Sequence, residues 1–310
     1  MRLRPAEPTD RQAIMALLSD AGLPALPEAL LGGALVAEQG EQVLGCVGME
    51  VCGDAALVRS LAVLAHARGT GVGLLLVRAV LEKARNAGAQ TAVALTETAQ
   101  RLCRRFGFEQ VDWSEVPEAL HASDEFHGAC PKSAAAMRLS LQSPVTWLRL
   151  ARLEDAPAIM RIKNQGIAER VATLDTEPLD PLQTDAWLTA HDARHPVLVA
   201  EREGGVVAFG SLNTFNPRPA YRFVADLSVY ADRAARGEGI GRRIVRELLD
   251  RAQDLGYHKV VLAAFPFNAP ARRLYLGLGF RPVGVYREQG LLDGRWVDVE
   301  VMERMLEEPR

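Results

Sequence analysis

Cysteine is scarce in this chain. Cys46, Cys52, Cys103 and Cys130 are scattered through 310 residues, with no Cys-x-x-Cys pair and no histidine at metal-ligand spacing. That excludes a disulfide scaffold and predicts reduced thiols and no bound metal. Long apolar runs are missing too. None approaches the roughly 18 residues of a membrane span, and Met1–Glu7 lack the apolar stretch of a signal peptide. No membrane partner is expected, and the expected location is cytoplasmic. Charge of one sign is also lacking: 36 Lys and Arg against 39 Asp and Glu leave a net charge of −3. Such a balance gives no electrostatic footprint for nucleic acid. No Gly-Lys-Ser/Thr follows a glycine run, so a Walker loop is excluded as well.

What the chain does have is core-forming material, with 48% hydrophobic residues, and a length that fits about two domains. It also has one motif written twice. Val58–Gly73 and Asp226–Gly241 each run from an apolar, β-branched stretch into Arg-Gly-x-Gly-x-Gly: Arg68, Gly69, Gly71 and Gly73 in one copy, Arg236, Gly237, Gly239 and Gly241 in the other. An amphipathic helix follows each copy. A strand feeding a glycine turn at a helix start presents a nest of backbone N–H groups suited to a pyrophosphate. The glycines admit the unusual dihedrals of the turn and let a phosphate approach closely.

The duplication extends along the chain with unequal spacing. Matching residues are 145 apart at Met15 and Met160, 163 at Glu38 and Glu201, 168 at Arg68 and Arg236, and 172 at Phe108 and Phe280. The second half therefore carries extra residues, chiefly between its first helix and second strand, and an insertion on one rim of a scaffold usually serves selection of a ligand. The boundary falls at Gln142–Val145, giving domains at 1–143 and 146–310. Helices are predicted over about 71–87 and 239–255, stopped by Gly88 and Gly256. Hairpins are predicted at Ala34–Val51, turning at Gly40, and at Val197–Leu212, turning at Gly204-Gly205. The fold class is α/β: two tandem domains, each a mixed, largely antiparallel twisted sheet flanked by helices.

The Arg-x-x-Gly-x-Gly loops resemble the acetyl-CoA signature of the GCN5-related N-acetyltransferases, the GNAT superfamily. The resemblance implies acetyl-CoA as co-substrate of an acyltransferase, a small-molecule amine as acceptor and no metal. In that family the strand before the loop splays from its neighbour and its backbone meets the thioester, which nominates Val229. Asp226, a carboxylate in an otherwise apolar strand, would receive the amine proton; the alternative is an ion pair with Arg222 or Arg218. The pattern Asn268-x-x-Ala-x-x-Leu-Tyr275-x-x-x-Gly-Phe280 resembles the family helix whose tyrosine protonates the leaving thiolate, with Asn268 as helix cap and cofactor contact. The alternative for Tyr275 is a core aromatic.

Asn164–Thr173, His195–Glu201, Arg218–Tyr221, Ser228–Tyr230 and Asp293–Asp298 together resemble the phosphinothricin/arsinothricin N-acetyltransferases. That implies acetylation of the α-amino group of a small acidic amino acid or analogue, a detoxifying reaction, with Thr173, Arg218 and Arg222 facing the substrate. Guanidinium forks suit an acidic side group; the alternative for Arg218 and Arg222 is a solvated basic loop. The branch normally has glutamate at Asp226 and histidine at Tyr275. Its single-domain members pair, so a homodimer or an intramolecular pseudo-dimer is implied.

In the first half, Val111–Pro117 leading to the Cys130–Met137 motif resembles acetyltransferases encoded with arsenic-resistance genes and, distantly, the transferase domain of N-acetylglutamate synthases. Equal spacing from the glycine loop puts Val58 where Asp226 stands, and Cys103 falls where Tyr275 stands. A valine takes no proton, and Cys103 reads as a buried small hydrophobe. Glu97 is an alternative base. The first half is thus either a second enzyme or a module that holds acetyl-CoA, or serves as an interface, without turnover. An acetyltransferase for peptides or other amines is the second reading for the whole chain.

Overall fold

In the computed structural model, which describes residues 1–127, 130–131 and 133–306, two separate sheets form. The chain divides into the units Met1–Trp147 and Leu148–Arg310. Lys132, within the Cys130–Met137 motif, and the last four residues of the second half lie outside the described residues.

The first unit holds β1 (Arg2–Pro5), α1 (Arg11–Asp20), β2 (Leu35–Gln39), β3 (Gln42–Cys52), β4 (Ala55–Val63), α2 (Val72–Asn86), β5 (Thr91–Thr96), α3 (Gln100–Phe106), β6 (Glu109–Val111) and β7 (Ala135–Ser140). Its seven strands run in the order β1-β2-β3-β4-β5-β7-β6. The second unit holds β8 (Thr146–Leu150), α4 (Ala156–Glu169), α5 (Pro181–Thr189), β9 (Val197–Arg202), β10 (Gly205–Thr214), β11 (Val224–Ala231), α6 (Ile240–Asp254), β12 (Lys259–Ala264), α7 (Ala269–Leu276), β13 (Arg281–Leu292) and β14 (Arg295–Met305). Its order is β13-β14-β12-β11-β10-β9-β8. In each sheet one parallel pair, β4 with β5 or β11 with β12, interrupts an otherwise antiparallel arrangement. The mixed α/β class expected from the sequence is the one found.

The long helices α2 and α6 form where the apolar spacing placed them. Leu76, Val80, Leu81 and Ala84 line the buried face of one, and Ile244, Val245, Leu248 and Ala252 that of the other. Both end in the same way: Ala89 N–H bonds the Ala84 carbonyl at 3.1 Å, and Tyr257 N–H bonds that of Ala252 at 2.9 Å. The insertion detected from the spacing is α5, whose start Asp180 caps through the Gln183 N–H at 2.8 Å. The same interval of the first unit contains only a short 3-10 turn, Glu28–Gly33. One turn lies a residue earlier than expected. Glu203 and Gly204, both with positive φ, make the β9–β10 reversal, and Gly205 already belongs to β10.

The duplication also repeats an ion triad, part-buried in the first unit and buried in the second, that ties the first strand of each unit to the second. Arg4 bonds Asp10 at 2.6 and 2.9 Å and Glu38 at 2.7 Å, while Arg149 bonds Asp155 at 2.6 and 2.7 Å and Glu201 at 2.6 Å. Burial alone would raise the Asp155 pKa, but the bonds from Arg149 and the Arg152 N–H outweigh it and hold the carboxyl below its ordinary range. A group depressed on folding adds stability above its unfolded pKa and loses it as pH falls through the folded value. Asp155→Ala, which leaves a buried guanidinium short of a partner, is expected to cost about 3–5 kcal/mol at neutral pH. Urea unfolding should show this gap narrowing in acid, below pH of about 4, as the wild-type carboxyl is protonated.

Candidate active site

Strands β11 and β12 are paired at Val224 with Lys259, Ala225 with Val260 and Asp226 with Val261, and then part. Leu227–Ala231 remain paired on the other side to β10, without a break in register. The Ser228 carbonyl faces β10, lying 2.9 Å from where a Cβ on Gly210 would stand. By strand alternation the N–H and C=O of Val229 are therefore turned to the open side of the split.

At the mouth of the split lies the glycine loop. Gly237 and Gly239 have φ of 84° and 77°, and Gly239 caps the start of α6. Only glycine adopts these angles without strain, and no atom lies within 4 Å of a Cβ built at either, so the cradle is open. Arg236 does not reach into it. Its Nε bonds the Ala231 carbonyl at 3.1 Å and its Nη1 bonds Glu169 at 2.6 Å, pinning the turn to the end of α4. The turn itself offers backbone N–H groups, and Arg242 and Arg273 also line the cavity beside it.

A cavity of about 670 Å³ joins these parts, lined among others by Val229, Tyr230, Arg236, Gly237, Gly239, Gly241, Asn268 and Tyr275. Every cofactor-contact residue expected in the second half lines it. Asn268 caps α7, accepting from the Ala271 N–H at 3.2 Å, while its Nδ2 bonds the Val171 carbonyl at 2.9 Å. Tyr275, 6% exposed, packs edge-on against Phe280 with its hydroxyl in no hydrogen bond among the described residues. Burial drives its pKa well up, and the neighbouring Tyr230 and Asp226 drive it further. It is thus both the core aromatic and the cavity-lining phenol.

Asp226 lies beside this lining, on the α4 and α5 face of the sheet. It makes no ion pair among the described residues, so the Arg218 or Arg222 alternative is not formed. Its Oδ2 accepts from Asn213 Nδ2 at 3.0 Å. Burial raises its pKa, partly offset by the Asn213 amide and the Leu227 N–H. Arg218 and Arg222 sit exposed on the turn before β11, outside the cavity lining, with the Arg222 guanidinium 4.4 Å from the Phe223 ring centre. Thr173, next to the lining residue Ala172, donates to Asp175 at 2.9 Å. Tyr230, which lines the cavity, and Asn213, which bonds Asp226, are residues that the sequence reading did not single out. Their signal was the polar alternation of Ser211 and Asn213 against Asp226, Ser228 and Tyr230 on adjoining strands.

In the first unit the same parallel pairing ends with Leu57 opposite Val93. Leu57, 1% exposed, therefore takes the place of Asp226, and the expected match with Val58 is off by one. The reason is a bulge: β4 carries an extra residue opposite β3, with Ser60 at φ 54°. Gly69 and Gly71 repeat the positive φ of the second loop, at 78° and 97°, and Arg68 Nε bonds the Val63 carbonyl at 3.0 Å as Arg236 bonds Ala231. A cavity of about 510 Å³ is lined by Val58–Val63, Arg68 and Cys103 but by none of Gly69, Gly71 and Gly73. Glu50 faces Leu57 as Asn213 faces Asp226, and it is held by Ser123 at 2.7 Å. The buried Arg59 bridges Glu50 at 3.5 Å and Glu125 at 2.9 Å. Glu97 stays on the surface, accepting from Ser133 at 2.6 Å.

The comparisons agree with this geometry. The model of the "Acetyltransferase (GNAT) family" matches residues 162–280, and that of the "Acetyltransferase (GNAT) domain" matches residues 31–110. A Bacillus subtilis protein named "Putative phosphinothricin acetyltransferase YwnH" is 38% identical over 160 residues, which is 51% of this chain and 98% of that protein. An L-methionine sulfoximine/L-methionine sulfone acetyltransferase of Salmonella typhimurium is 31% identical over 162 residues, 52% of this chain and 95% of that protein. Among solved structures, a GNAT superfamily phosphinothricin acetyltransferase from Sinorhizobium meliloti in complex with AcCoA has a TM-score of 0.50 and 30% identity, covering 52% of this chain and 88% of that one. The chain belongs to the acetyltransferase (GNAT) family. It is an acyltransferase with two GNAT domains in tandem. Among the described residues no group of three His, Cys, Asp or Glu side chains could hold a metal ion.

Burial pushes the thiols of Cys46 and Cys103 up to about 11, whereas Cys52 and Cys130 are only half-buried. Timed iodoacetamide labelling of the native protein at pH 8, read by mass spectrometry, should modify Cys52 and Cys130 well before Cys103 and Cys46, because the thiolate is the reactive form. Early labelling of Cys103 would restore a chemical role for that thiol.

Proposed function

We propose that the second domain acetylates the α-amino group of a small acidic amino acid or analogue by direct attack within a ternary complex. The observation that carries this reading is the single cleft in which an open backbone cradle, the outward-turned Val229 amide and the Tyr275 phenol converge, with a half-buried, ion-pair-free Asp226 at its side. Acetyl-CoA supplies an acetyl group already activated as a thioester. The glycine nest and the α6 N-terminus hold its diphosphate, and the Val229 N–H orients the thioester carbonyl. Asp226, its pKa raised by burial, takes the ammonium proton, and Tyr275, kept neutral by its surroundings, returns one to the departing sulfur. The related enzymes named for phosphinothricin and methionine sulfoximine support an amino-acid acceptor. We assign its carboxylates to Thr173, Arg218 and Arg222, the two arginines lying on the exposed turn before β11.

In the first domain we infer acyl-CoA binding without turnover. Its loop keeps the second domain's dihedrals, but Leu57 and a protonated Cys103 stand where the base and acid would be.

A thiol-release screen of the intact protein with acetyl-CoA tests both readings, using phosphinothricin, arsinothricin, glutamate, methionine sulfoximine and a short peptide. Turnover with the peptide alone would overturn the amino-acid assignment. Tyr275→Phe should lower kcat roughly 100-fold or more while sparing acetyl-CoA affinity by calorimetry. Asp226→Asn should cost most at low pH, where the amine is protonated. An Asp226→Asn/Tyr275→Phe double variant that kept substantial activity would place turnover in the first domain.

A further inference from the structure

The Asp226 carboxylate is held by an amide whose orientation is itself determined. Asn213 turns its Nδ2 toward Asp226 Oδ2 at 3.0 Å and Ser228 Oγ at 3.1 Å. Its Oδ1 lies 2.9 Å from Ser211 Oγ and 3.1 Å from His191 Nε2. The two serine hydroxyls can donate or accept, so they follow the amide whichever way it points. The imidazole cannot. His191 Nδ1 lies 2.8 Å from the Trp187 carbonyl, which only accepts, so Nδ1 carries a hydrogen. Nε2 then bears a hydrogen only in the imidazolium form. An imidazolium grips Oδ1 and leaves the NH2 end for Asp226, matching a carboxylate anion. A neutral ring with bare Nε2 asks for the NH2 end and turns Oδ1 toward Asp226, matching a protonated carboxyl.

We propose that His191 and Asn213 are positioning residues for Asp226: the imidazole sets the direction of the Asn213 amide, and the amide keeps a donor on the base. This rests on the reading of Asp226 as proton acceptor. The polar groups around the array are few. Asp226 faces Tyr230 on its own strand and Tyr275 from α7. His191 stacks at a tilt on Trp187, with ring centres 4.4 Å apart. In the following loop Asp192 and His195 bond each other at 2.9 Å, and His195 Nε2 lies 3.2 Å from Thr214 Oγ1. His191 follows directly on α5, the helix that the first unit lacks, so the insertion supplies the second layer of the site.

The test is the pH profile of kcat for the full-length enzyme with acetyl-CoA and L-methionine sulfoximine. Ionisation of the substrate is common to all variants, so only displacement between profiles counts. His191→Phe removes the imidazole that faces Oδ1 and should move the acid limb up by roughly one pH unit, a tenfold loss below the limb. His191→Gln, whose side-chain NH2 can grip Oδ1 at any pH, should return the limb toward its wild-type position. Asn213→Leu, which deletes the amide without touching the helix, should reproduce the His191→Phe displacement and serves where that variant does not fold. A uniform rate loss with an unmoved limb in Asn213→Leu and His191→Phe would overturn the proposal. Full activity of Asp226→Asn at every pH would instead overturn the assignment of Asp226 itself.

Discussion

Three residue pairs hold β11 against β12, and beyond Asp226 the two strands share no further pairing. A parallel pair that stops so early leaves a row of backbone N–H and C=O groups facing neither strand nor core, and buried groups of that kind require partners. The split therefore creates a demand that a ligand with amide and carbonyl groups can meet. It also opens the sheet from one face to the other. Asp226 and Tyr230 approach the opening from the α4 and α5 face, Tyr275 from the α6 and α7 face. The glycine loop, clamped through Arg236 to Glu169 and to the Ala231 carbonyl, fixes the far end. A sheet closed along its whole length would separate these groups by a layer of backbone.

Duplication preserved that device and let everything around it change. Both units keep the three-pair parallel contact, the positive-φ glycine cradle, the arginine-to-carbonyl bond and the Arg–Asp–Glu triad at the first strand. The face that bears Asp226 diverged. In the second unit α5 stands over it and brings His191 to Asn213. In the first unit Leu57 packs with Leu120 of the segment between β6 and β7, and Arg59, Glu50, Ser123 and Glu125 lock one another together. A glutamate at the place of Asn213 with a leucine at the place of Asp226 reverses the polarity of the pair, and its carboxylate is already committed to Arg59 and Ser123.

Much of this was legible in the sequence, because glycine spacing and helix periodicity are local signals. The two cradles, the long helices with their stops, the tandem arrangement and the inserted rim could all be read from order and spacing. The equivalence of Leu57 with Asp226 could not. A β-bulge shifts register without leaving a gap in the count from the glycine loop, and Ser60 gives no sign of its left-handed conformation. Asn213 and His191 escaped for another reason: their significance lies in contacts across a strand pair and from a helix 22 residues away in the chain. Arg218 and Arg222 were visible as charges, but only the fold shows them on an exposed turn.

The chemistry proposed for Asp226 depends on two opposed effects, of which burial is the larger. Burial beside an apolar sheet favours the neutral acid, which makes the group a better acceptor for an ammonium proton. Unopposed, it would raise the carboxyl's pKa further. The Asn213 amide and the Leu227 N–H pull the other way, each a hydrogen bond to a charged group worth about 1.5–3 kcal/mol. An ion pair with Arg218 or Arg222 would overshoot, holding the carboxylate too firmly to accept a proton. A neutral donor of fixed direction is the intermediate choice. Fixing that direction requires a partner able to tell an amide oxygen from an amide nitrogen, which a serine hydroxyl cannot do and an imidazole can.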